Sequence, residues 1–155
     1  MRIVPITAEM AEKYRGEIAQ LYFENVSSNA FHEHFTYTEA YEKMDDLISH
    51  LKDNTAIVYG AFENDDLTAF IWAYVHQFRE ENRMYVSEIR VKEEYRKHGI
   101  GKEMLGLVED KAKELGLSAI YLHAEAGNKD ARRLYEECGY IEERIQMRKP
   151  LDSRL

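Results

Sequence analysis

Residues 83–116 read RMYVSEIRVKEEYRKHGIGKEMLGLVEDKAKELG, and the fold class turns on how this stretch is divided. RMYVSEIRV (83–91) is rich in β-branched and aromatic residues and predicts a strand. Further on, Ile100, Met104, Leu107, Val108 and Leu115 keep the three-and-four spacing of one helical face over about 100–115, and Gly116 stands where the helix should end. Between them, KEEYRKHGIGKE (92–103) gathers Arg96, Lys97 and Lys102 around Gly99 and Gly101. A strand that passes through a glycine-containing turn into a helix belongs to an α/β chain.

The flanking sequence extends that pattern in both directions. TAIVYGAF (55–62) and LTAFIWAYVHQF (67–78) share the composition of 83–91, and the polar ENDD and REEN segments suit hairpin turns, so three antiparallel strands in series are expected. Ala11, Tyr14, Ile18, Leu21 and Tyr22 mark an amphipathic helix over about 8–26. A second helix starts near Thr36, which has capping-box spacing to Glu39, and should bury Tyr41, Met44, Leu47, Ile48 and Leu51. Both helices are expected before any strand. After residue 116, AIYLHAE (119–125) reads as a strand. Ala131, Leu134, Tyr135 and Cys138 form the inner stripe of a last helix capped by Asn128 and stopped by Gly139. A final strand is expected over about 140–149. This order predicts a mixed, mainly antiparallel central sheet of about six to seven strands flanked by about four helices. No repeat, low-complexity tract or Pro/Ser-rich linker divides it, and both Pro5 and Pro150 are near the ends.

Composition narrows the function. The 155 residues are 45% hydrophobic, enough for one core and one domain over 1–155, and a chain of this size buries about 70% of its unfolded surface without needing disulfides or a structural metal. A net charge of −8 opposes nonspecific nucleic-acid binding, which depends on neutralising phosphates. Cys138 is the only cysteine, which excludes an intramolecular disulfide or a CxxC site and fits a reducing compartment. MRIVPITAEM lacks the basic and apolar segments of an export signal, and no apolar run approaches the roughly 18 residues of a membrane span. A cytoplasmic protein is expected, with no membrane partner.

The turn at 92–103 carries the strongest chemical signal. A helix N-terminus offers N–H groups without internal partners and the positive end of the dipole, and glycines let an anion come close, so Gly99 and Gly101 are consistent with a phosphate cradle. A glycine-containing turn with solvated basic side chains explains the same residues. A P-loop would need Gly in place of Arg96 and Ser or Thr in place of Glu103, and a dinucleotide fingerprint would need Gly in place of Met104 and a preceding βαβ unit. Neither motif is present, which counts against a nucleotide-binding switch.

The residues IRV (89–91), YRKHGIG (95–101) and NKDARRLYEECGY (128–140), spread over about 85–149, resemble the GCN5-related N-acetyltransferase (GNAT) family. The resemblance implies the GNAT-like acyl-CoA acyltransferase fold. It implies that the R-x-x-G-x-G segment, here Arg96, Gly99 and Gly101, binds the pyrophosphate of acetyl-coenzyme A through backbone donors of Lys97, His98, Gly99, Ile100, Gly101 and Lys102. By the same resemblance, the backbone of Ile89, Arg90 and Val91 pairs with the pantetheine arm as an added strand would. Asn128 contacts the same arm, although a plain helix cap explains it equally well. A homodimer also follows from the family.

Acetyl transfer to an amine needs a proton acceptor, stabilisation of the developing oxyanion and a proton for the departing thiolate. Tyr135 matches the family's tyrosine in the N-x6-Y pattern and would be the general acid; it also lies in the apolar stripe of its helix. Glu88, just before the pantetheine edge, is the first candidate base, with solvent exposure or pairing with Arg90 as the ordinary alternatives. His123 is the second; it aligns with the catalytic glutamate of ribosomal-protein acetyltransferases, and the alternative is a satisfied interior histidine. His32 and His34, around Glu33 and Phe35, have no third ligand at suitable spacing, so no metal is expected. Tyr37, Tyr41, Trp72, Tyr74 and Tyr85 are candidates for an acceptor wall or for the core. The acidic balance favours cationic amines by steering. The resemblance therefore implies transfer from acetyl-coenzyme A to a primary amine of a small molecule or protein. The alternative is a noncatalytic acyl-coenzyme A binding or sensor module.

Overall fold

Strands β2 (Ala56–Glu63), β3 (Asp66–Phe78) and β4 (Glu81–Val91) form the expected antiparallel series in the computed structural model, which describes residues 1–28 and 34–152. Their turns use Asn64 and Arg79 in the left-handed region, at φ 56° and 57°. β1 (Arg2–Pro5) pairs antiparallel with β2, and β5 (Ile120–Leu122) pairs parallel with β4, giving one sheet in the order β1-β2-β3-β4-β5.

Helices cover both faces. α1 (Ala8–Lys13), α2 (Arg15–Ser27) and α3 (Tyr37–Lys52) bury Ile18, Leu21, Met44 and Leu47 against Phe62, Leu67, Phe70 and Trp72. On the other face α4 (Ile100–Glu114) sets Ile100, Met104, Leu105 and Val108 against Ala69, Ile71, Ala73 and Met84. α5 (Lys129–Glu137) adds Leu134 and Tyr135 to that layer. With both faces of β3 covered, residues 67–73 are all buried, so LTAFIWA is continuously apolar apart from Thr68, whose hydroxyl donates to Ala61 O at 3.0 Å. The caps follow the sequence: Thr36 Oγ1 accepts from Glu39 N at 3.1 Å, and Asn128 Oδ1 accepts from Ala131 N at 3.1 Å.

Several expectations are corrected. Among the described residues the sheet has five strands, not six to seven, because 140–149 form no strand. Ile141, Ile145 and Met147 are 88%, 77% and 90% exposed, and this segment is held by side chains, with Arg132 bonding Glu142 and Arg144 over Phe78. Apolar composition makes a strand only where an edge accepts one, and β5 presents three residues. Among the described residues there are five α-helices rather than about four, since the 8–26 segment breaks at Tyr14 (φ −100°, ψ 19°), whose ring packs edge-on to Phe62 at 5.0 Å, with Gly16 following. A strand, β1, precedes the helices. Tyr41 is 43% and Leu115 47% exposed, while Ala40, Leu105 and Ala112 fill core positions instead. Among the described residues, no helix is long and apolar enough to cross a membrane.

Candidate active site

β4 and β5 pair only from Met84↔Ile120 to Val86↔Leu122. Past that point they separate. Ser87 is the extra residue of a bulge in β4, since Trp72 faces Glu88 while Ala73 faces Val86, and bulges bend and twist the strand that carries them. The Ser87 hydroxyl anchors the bulge by donating to Trp72 O at 3.1 Å. The separation opens a cleft of about 290 Å³ between β4, the segment after β5, the end of α2 and the start of α5.

Among the described residues, the outer edge of β4 along this cleft has no strand partner beyond Val86. Lys92 N donates to Thr68 O of β3 at 2.9 Å, so by alternation Arg90 also turns its backbone to β3, whereas Ile89 and Val91 turn theirs to the open edge. Val91 O accepts from Arg96 Nε at 2.9 Å, which ties the following turn to the strand end. The next segment folds tightly: Lys97 and Gly99 sit in the left-handed region at φ 65° and 82°, and Gly99 caps α4. From Lys97 through Lys102 no N–H donates to a backbone carbonyl of a described residue, so six consecutive donors are available at a helix N-terminus. The two glycines have different physical reasons. A Cβ on Gly101 would lie 3.1 Å from Leu134 Cδ2, so this residue permits close packing of α4 on α5. Gly99 meets nothing within 4 Å, and its requirement is conformational. Gly99→Ala is expected to cost about 1–2 kcal/mol of stability, read as a lower urea midpoint at unchanged slope.

Glu88 stands at the splay. It is half-buried, and its Oε2 accepts from Asn25 Nδ2 of α2 at 2.5 Å. Burial pushes its carboxyl up to about 7, against the opposing pull of the Asn25 hydrogen bond. Three phenols surround it. Burial first and the Glu88 charge second raise Tyr22 and Tyr135 to about 12, and burial, Tyr74 and Glu88 raise Tyr85. All three therefore hold their protons across the neutral range.

The structure brings Glu88, His123, Asn128 and Tyr135 to one cleft, with Ile89 on its floor. Glu88 neither faces bulk solvent nor pairs with Arg90, which lies 4.0 Å from Glu24. His123 is exposed rather than interior, and its Nδ1 shares a hydrogen bond with the Tyr85 hydroxyl at 2.5 Å. Arg96, Lys97, His98, Gly99 and Lys102 are exposed, while Ile100 and Gly101 are buried. Tyr37 and Tyr41 pack on one another beside the start of α2, with the Tyr37 hydroxyl donating to Gly16 O, and do not line the cleft. Trp72 is core, 8% exposed against Tyr22, and Tyr74 packs at a tilted 57° angle against Tyr85, ring centres 5.4 Å apart. His32 and Glu33 lie outside the described residues. Asn25 was not singled out from the sequence, yet a signal exists: it occupies the next position of the Ile18, Leu21, Tyr22 stripe, where a hydrophobe belongs.

Known proteins are similar to this chain in sequence and in fold. The uncharacterized N-acetyltransferase YdgE of Bacillus subtilis (strain 168) is 25% identical over 149 residues, 94% of this chain and 95% of its own. The tetramutant of the BH1408 protein from Bacillus halodurans superimposes with a TM-score of 0.82 at 20% identity, covering 97% of this chain and 100% of the other. The ribosomal-protein-alanine N-acetyltransferase from Brucella melitensis biovar Abortus 2308 does so at 0.67 and 21%, covering 97% and 100%. Those two likenesses are of fold. With its N-acetyltransferase relatives, the chain falls in the acetyltransferase class of enzymes. It belongs to the Acetyltransferase (GNAT) family, which it matches over residues 14–140.

Proposed function

We propose that residues 1–155 act as one cytoplasmic domain that transfers an acetyl group from acetyl-coenzyme A to a primary amine of a small molecule or protein. The observation that supports this best is the continuity of the donor path: six free N–H groups at the start of α4 lead, along the unpaired edge of β4, to the Glu88 carboxylate. The free donors suit a diphosphate, and the backbone of Ile89 with the Val91 N–H, whose carbonyl is engaged by Arg96, suits an amide-bearing arm lying as an added strand.

Glu88 takes the proton from the acceptor ammonium. Alkylamines titrate near 10.4, so most acceptor arrives protonated, and a carboxylate titrating near 7 is largely ionised at pH 7.5 yet basic enough to assist. The amine nitrogen then bonds to the thioester carbonyl carbon, the carbon–sulfur bond breaks as Tyr135 gives its proton to the departing sulfur, the excess proton on the new amide nitrogen returns to the Tyr135 phenolate, and the proton held by Glu88 leaves to solvent. The Glu88 carboxylate, which lines the cleft, favours a cation at this point. His123 is the lesser candidate for base, because its Nδ1 is engaged by Tyr85.

The test is a thermal unfolding series with acetyl-coenzyme A followed by a thiol-release assay over an amine panel. Carrier at 100-fold above its Kd is expected to add about 2.7 kcal/mol, or about 5–10 °C in midpoint for a chain of this size. Amine-dependent thiol release should follow. No thermal shift up to millimolar carrier would remove the donor assignment.

A further inference from the structure

Asn25 sits where the apolar face of α2 should continue, and the helix instead delivers a carboxamide to Glu88. Two neighbouring contacts hold that turn on the sheet, and a third closes the end of the helix. Ser28 Oγ donates to Asn25 O at 2.8 Å, Glu24 lies 4.0 Å from Arg90 Nε, and Tyr22 packs at 6.4 Å against Trp72, the residue that Glu88 faces in the β3–β4 register. The bond engages one carboxylate oxygen, Oε2. No side chain of the described residues donates to Oε1, which leaves that atom to the cleft. Asn25 is half-buried at the cleft, where a hydrophobe would continue the stripe, and its hydrogen bond to Glu88 is the contact that accounts for a carboxamide there.

We propose that Asn25 is a positioning residue whose carboxamide holds Glu88 by one oxygen and presents the other, ionised, to the incoming ammonium. This rests on the reading of Glu88 as the base. The other groups facing the carboxylate do not duplicate it. On α2, Tyr22 remains a phenol and Glu24 is paired with Arg90; on α3, Asp46 is exposed and paired with Lys43. On β4, Tyr85 is joined to His123 at the end of β5, and on α5 Tyr135 stays protonated; Glu125 lines the far side of the cleft. An uncharged donor directed at Oε2 favours the ionised form, and its loss favours the protonated one.

The experiment compares Asn25→Leu, which removes the donor at similar volume, with Asn25→Asp, which replaces it by an anion, and with Asn25→Ser, which keeps a shorter donor. The acidic limb of kcat/KM should move up by about one pH unit in Asn25→Leu, lowering the rate about tenfold at pH 6 while leaving it near native at pH 9. The limb should move further in Asn25→Asp and less in Asn25→Ser. Carbon-13 NMR titration of the Glu88 carboxyl in the same variants reads the same order without turnover. Limbs and titrations that stay at the native position in the folded variants overturn the proposal. Should Asn25→Leu not fold, Asn25→Asp and Asn25→Ser decide it by the same two readouts. If instead Glu88→Gln keeps the native limb, the base reading fails, and the NMR order still decides whether Asn25 controls the carboxyl.

Discussion

Glu88→Gln is expected to lower kcat/KM for an amine acceptor by about 10²–10⁴-fold, the range a positioned general base contributes, and to erase the acidic limb centred near pH 7. Below that pH the native carboxyl carries a proton and cannot accept another, so native activity falls as pH drops while that of the variant, already low, stays flat. Carrier affinity should be unchanged, because the amide donors lie on the turn before α4. The same substitution should raise stability. Glu88 is held above its ordinary value of 4.5, so the folded state binds its proton more tightly than the unfolded state does. Its ionisation therefore destabilises the fold fully above pH 7, and the penalty fades as pH falls through 7 toward 4.5. The difference corresponds to about 3 kcal/mol at pH 8 and almost nothing at pH 4, measured as urea stability of Glu88→Gln against the native chain. An active variant with an intact limb would show that Glu88 is not the base.

Tyr135→Phe should lower kcat by about 10²-fold with little change in carrier affinity. The phenyl ring keeps the contacts of its stripe and the 5.9 Å packing on Tyr140, so the loss reports the hydroxyl and not the fold. Because burial holds this phenol near 12, the proton is present from pH 6 to pH 10 and the deficit should be constant over that range. Full turnover by Tyr135→Phe would leave the residue only its place in the α5 stripe.

The two substitutions act on groups that the sequence marks with unequal clarity. Tyr135 and Asn128 stand out through a spaced pattern on one helix. Glu88 is one acid among 29, and only its place just before the IRV edge singles it out. What the sequence could not show is its partner, Asn25 of α2, which comes from some 60 residues earlier, or the burial that lifts its carboxyl into the neutral range. Asn25 carries the converse lesson: the broken apolar stripe was visible, but the partner that explains it was not.

Local rules determined a good deal. The polar hairpin turns, the Thr36 and Asn128 caps, the stop at Gly116 and the glycine turn before α4 depend on backbone geometry and neighbours within a few residues, so residue order specifies them. The tertiary structure decided the rest. Whether 140–149 becomes a strand depends on a pairing edge, and β5 supplies only three residues. Whether Gly101 serves the anion or the packing depends on Leu134 arriving from α5. Whether Glu88 is solvated, paired with Arg90 or bonded to Asn25 depends on which helix covers β4. Desolvation and long-range contact have no local sequence signature, and they are what lift the Glu88 carboxyl to about 7.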